Sequence, residues 1–104
     1  IALLSEASEL LRAAAEQEAA DGNHARAAEL YRELVEKAAS GSKPEADLAN
    51  ACAFSRFYGR LAELTPAAES GQWKARRMAL WSHWRAQLPA NAFVAARAKQ
   101  ELGE

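Results

Sequence analysis

Residues 11–34 read LRAAAEQEAADGNHARAAELYREL, two runs of helical periodicity that meet at Asp21-Gly22-Asn23. In the first run Leu11, Ala14 and Ala15 recur on one face; in the second Ala27, Leu30, Tyr31, Leu34 and Val35 do. Gly22 suits the left-handed conformation that ends a helix, and Asn23 suits the cap of the next. So short a turn makes the two helices antiparallel neighbours.

Upstream, Leu3, Leu4, Ala7 and Leu10 extend the first stripe, so a helix is expected from Ala2 to Ala20. Glu18, seven residues after Leu11, falls on the apolar side and spoils its last turn. Downstream, the second helix is expected over His24 to Ala38, with Glu33 and Lys37 four apart in the favourable order. Ser40-Gly41-Ser42-Lys43-Pro44 interrupts the pattern. Ser42 and Glu45 there have the spacing of a capping box, and Pro44 suits a first turn.

A third helix is expected over Pro44 to Leu64, with Ala46, Ala49, Cys52, Ala53, Phe57 and Leu61 along a stripe that Phe54 and Tyr58 widen. A helix apolar on more than one side is flanked on more than one side, which places this one centrally. Gly59 inside it permits a close crossing or a bend. Thr65 to Gly71 reads as a long connector, and Gln72 to Leu88 as a fourth helix carrying Trp73, Met78, Leu80, Trp81 and Trp84. Pro89-Ala90-Asn91 separates a fifth, Ala92 to Leu102, with Asn91 as its cap. The expected fold is therefore all-α, five helices and no strands. Hairpin one spans about residues 2–39, hairpin two about 44–88, and a final helix of about 92–102 covers the open end.

The bulk properties agree with one small domain: 104 residues, half of them hydrophobic, much of that share alanine, which suits closely approached helices. No apolar run nears the ~20 residues that cross a bilayer, and no basic stretch with a cleavage site follows Ile1. The opening at Ile1 and the abrupt Gly103-Glu104 ending are read as a domain taken from a longer protein. Cys52 is the single cysteine, so an internal disulfide has no second half and a cysteine-based zinc site no partners. It is expected as a small core residue, and a cytoplasmic location is favoured. The net charge of -1 hides an asymmetry: residues 1–50 carry five Lys/Arg against ten Asp/Glu, residues 51–104 eight against four. Such halves attract each other along a stack, or offer a basic C-terminal face to an acidic partner.

The first hairpin resembles a tetratricopeptide unit: Leu11, Ala14-Ala15 and the later Ala27-x-x-x-Tyr31 fall at that family's spacings, around the Asp21-Gly22-Asn23 turn. Glu18 stands at its aromatic slot and Ala39 at its closing proline. Leu48, Ala51-Cys52 and Ser55, then Leu80-Trp81, Trp84 and Leu88-Pro89, resemble a second, irregular unit, so that the likeness covers about residues 8–91. It implies an α-α superhelix and a protein-binding scaffold, here a module of a larger signalling or regulatory protein of bacterial type. Alanines 14, 15 and 27 then let helix axes approach, and Tyr31 fills the space between hairpins.

Chemistry-bearing patterns are few. His24 has Ala20 and Ala28 four residues away, and His83 has Ala79 and Gln87, so neither forms a helical metal pair. No phosphate-binding loop, nucleophile elbow or kinase signature is present. The reading is thus non-enzymatic, with no cofactor and no metal. Trp73, Trp81 and Trp84 are the sharpest feature, expected as core between the last three helices. One of them, Trp81, is the candidate exposed anchor, with Arg77 and Arg85 beside it, for a protein or peptide partner. The alternative is a nucleic-acid-binding helical domain that uses the basic and aromatic face of residues 56–85.

Overall fold

The computed structural model describes residues 6–41 and 48–103. They form α1 (Glu6–Ala20), α2 (His24–Gly41), α3 (Leu48–Leu64), α4 (Ala67–Gln87) and α5 (Ala92–Glu101), with no strand among the described residues. Each helix packs on the next in sequence. The molecule measures 41 × 33 × 20 Å, and its short dimension is about two helix diameters, a double layer.

The α1–α2 turn closes as a Schellman motif. Asn23 N donates to Glu18 O at 2.8 Å and Gly22 N to Ala19 O at 3.1 Å, with Gly22 at φ +84°. Glu18, the misfit of the apolar stripe, is half-buried and accepts from Asn23 Nδ2 at 3.0 Å. Its carboxylate serves the turn. Ala15, Ala27 and Ala28 are buried where the two helices meet, and small side chains let the axes close up. The second helix continues through Ser40 and Gly41, past the expected end at Ala38. The Ser42–Glu45 capping box and Pro44 lie outside the described residues.

Helix α3 is central, as its wide apolar arc requires. Ala51, Phe54, Phe57 and Leu61 are fully enclosed and Tyr58 nearly so, with α2 on one side and α4 on the other. Tyr31 sits 6.2 Å from Phe57, ring to ring, and is 1% exposed between the hairpins. Cys52, expected in the core, is only half-buried at its margin.

The long connector at Thr65–Gly71 is corrected to two residues. Pro66, extended at φ -61° and ψ 159°, occupies the N-cap, and α4 begins at Ala67, five residues earlier than expected. Ala67, Ala68 and Glu69 are sound first-turn residues, and Ser70 Oγ donates to Ala62 O at 2.7 Å, fastening the new turn to the end of α3. Gly71 is therefore an interior helix residue. Helices α3 and α4 run antiparallel: Ala62 meets Ser70, Tyr58 meets Trp73 and Ser55 meets Trp81. Asn91 caps α5 as expected, its side chain accepting from Val94 N at 2.9 Å, and Val94 and Ala98 seal against α4.

Candidate functional site

The expected anchor is a core residue. Trp81 is 0% exposed; its Nε1 donates to Ser55 Oγ at 2.9 Å, Phe93 meets its ring edge-on at 6.3 Å, and the Arg97 guanidinium lies 5.4 Å from its centroid. A four-residue helical spacing cannot tell a face turned to solvent from one covered by a later helix, and α5 covers this one. Arg77 is half-buried: its Nε lies 2.9 Å from Ser55 Oγ and 3.1 Å from Glu101 Oε2. Arg97 holds the other oxygen of Glu101 at 3.2 Å, so Arg77, Glu101 and Arg97 tie α4 to α5. Arg85 is half-buried and engaged as well. The three residues expected to share a contact surface thus do not form one.

Nor do Arg60, Arg76 and Arg77, three of the basic residues of 56–85, share one set of contacts. Arg60 is drawn to α1, Arg77 lies between α3 and α5, and Arg76 stacks 4.8 Å from the centroid of Trp73. Among the described residues no group of three His, Cys, Asp or Glu side chains is placed to hold a metal ion, and no helix is long and apolar enough to cross a membrane.

What the fold does assemble is a seam between the hairpins, held by two carboxylates. Glu16 of α1 receives Arg60 of α3 through two contacts, Nε to Oε2 at 2.9 Å and Nη2 to Oε1 at 3.2 Å, while the Tyr31 hydroxyl donates to Oε2. Glu69 of α4 receives Arg32 of α2 through two contacts of 2.7 Å, and Trp73 Nε1 donates to it at 2.9 Å. Such paired guanidinium contacts are the stronger kind of ionic hydrogen bond. The electrostatics follow. Arg60 and then the Tyr31 hydroxyl hold the Glu16 carboxyl below its ordinary range, and Arg32 and then Trp73 bring Glu69 down to about 2. Burial, reinforced by the carboxylate of Glu16, pushes Tyr31 up to about 12. The guanidiniums of Arg60 and Arg32 are raised by the same bonds.

Along this seam runs a two-lobed groove. One lobe, of about 310 Å³, lies among Glu16, Ala19, Ala20, His24, Arg60, Glu63 and Leu64. The other, of about 580 Å³, runs from His24, Ala25, Ala28, Glu29 and Arg32 across to Leu64, Thr65, Pro66 and Glu69. His24, Glu63 and Leu64 belong to both. Every one of α1 to α4 contributes a wall. Sequence reasoning missed this site because its partners stand 37 and 44 residues apart, beyond any helical spacing. The charge imbalance between the halves was its one trace, and it predicts only the Glu16–Arg60 direction, not Arg32–Glu69.

No protein-family model, curated protein or solved structure matches this chain.

Proposed function

We propose that the chain is a non-catalytic protein-interaction module of the tetratricopeptide-like kind, acting inside a larger signalling or regulatory protein in a bacterial, cytoplasmic setting. One observation carries the reading: an open groove crosses the seam between two helix hairpins and is lined by side chains of four helices. A wall shared by several elements is an extended contact surface, which helical stacks use for partner segments. The buried alanines of the first hairpin and the enclosed Tyr31 at the seam support the repeat-like geometry. The nucleic-acid alternative loses ground because two of the cations it needs, Arg60 and Arg77, are tied to carboxylates and Arg76 is stacked on Trp73.

Peptide display against the immobilised domain tests this, with the binding site of the selected peptides mapped by amide chemical shifts. Shifts gathered at His24, Glu63, Leu64 and Thr65 are expected. Failure to select any peptide, or shifts confined to the outer faces of α4 and α5, would overturn it.

A further inference from the structure

We infer that the inter-hairpin groove takes a basic, lysine- or arginine-bearing segment of a protein partner. The inference rests on the interaction reading above and narrows it to a chemical class. Four carboxylates line the two lobes, Glu16, Glu29, Glu63 and Glu69, against two guanidiniums, Arg32 and Arg60. Both guanidiniums are already committed: Arg32 to both oxygens of Glu69, and Arg60 to both oxygens of Glu16. An acidic segment therefore finds no uncompensated cation among the arginines of the groove.

The two remaining carboxylates stand open. Glu63 is 65% exposed and holds one contact, 3.3 Å to Arg60 Nη1; Glu29 is 59% exposed and holds one, 3.0 Å to Arg26. Exposed single contacts of this sort contribute little and are readily exchanged for an arriving cation. They stand on opposite walls, Glu29 on α2 and Glu63 on α3. The same lobe is also lined by Ala25, Ala28, Leu64 and Pro66, apolar surface for the methylene stem of a lysine or arginine whose charged end reaches a carboxylate. Charge complementarity and lining chemistry thus select the same occupant.

The test uses two fluorescein-labelled peptides of equal length, alanine-rich, one bearing two lysines and the other two glutamates, titrated by fluorescence anisotropy. The lysine probe is expected to bind the wild-type domain more tightly than the glutamate probe. Its affinity should fall about tenfold in Glu63→Lys and also in Glu29→Lys, as expected for a close charge reversed. Glu36→Lys reverses an exposed α2 charge that does not line the groove, and should change the affinity less than twofold; circular dichroism melts confirm that each variant is folded. Equal losses in all three variants would mean diffuse attraction to an acidic surface and overturn the inference, as would no binding of the lysine probe. Preferential binding of the glutamate probe, with shifts at His24 and Leu64, would sink the basic occupant while leaving the groove as an interaction surface.

Discussion

The guanidinium of Arg77 lies against the backbone of Gly59, so closely that a Cβ on Gly59 would stand 2.6 Å from Arg77 Nη1. Gly59 makes room for a side chain from the next helix. Alanine at an interior helix position is worth about 1 kcal/mol over glycine. In Gly59→Ala that gain is expected to be cancelled or reversed, because Arg77 must leave Ser55 or Glu101. In an Arg77→Ala background it should reappear, as about 0.5–1 kcal/mol of stabilisation by urea unfolding. A gain of the same size in both backgrounds would show that the contact imposes nothing.

Two tryptophans of α4 differ in what their N–H meets. Trp81 Nε1 is bonded to the buried Ser55 hydroxyl, whereas Trp84 Nε1 is buried without a protein partner. Trp81→Phe removes a satisfied bond; Trp84→Phe removes an unsatisfied donor. Trp81→Phe is expected to be the more destabilising by roughly 1–2 kcal/mol in denaturant titrations. The reverse order would mean that ring volume alone decides.

Gly22 and Gly71 should respond with opposite signs. Gly22 sits at φ +84°, where a Cβ costs about 1–2 kcal/mol, so Gly22→Ala lowers the melting temperature. Gly71 is helical, exposed, and has nothing within 4 Å of where its Cβ would stand. Gly71→Ala should stabilise by up to about 1 kcal/mol. A destabilised Gly71→Ala would return that residue to the connector expected from sequence alone.

Acid and alkali should each weaken the seam. The carboxyls of Glu16 and Glu69 are depressed in the folded protein, so their stabilisation is complete above the ordinary 4.5 and lost as pH falls toward about 2 for Glu69. Tyr31 is raised, so its contribution is complete below the ordinary 10.0 and lost as pH rises toward about 12. The unfolding midpoint is expected to be insensitive to these groups between pH 5 and 9, in the sense that Glu69→Gln flattens the acid limb and Tyr31→Phe the alkaline one. Unchanged limbs in those variants would place the titrating groups elsewhere.

How much of this was legible depends on whether the determinant was local. The Gly22 turn and the Asn91 cap follow from residues within one or two helical turns, and the structure holds both, whereas the enclosure of Tyr31, against Phe57 of α3, was expected from the likeness to a repeat. The α4 start was misplaced because Pro66 and Gly71 both read as punctuation, while the bond from Ser70 to Ala62 that carries the helix through joins different elements. Trp81 was misassigned as an exposed anchor for a related reason. Its cover comes from Phe93 and Arg97 on α5, and no periodicity within α4 contains that information.

The two carboxylate clamps at the seam have opposite polarity. Hairpin one gives the acid in Glu16–Arg60 and the base in Arg32–Glu69. The two hairpins are thus matched like a keyed connector. Sliding one along the other by a helical turn, about 5.4 Å, separates both pairs. The seam therefore favours one alignment of these two hairpins.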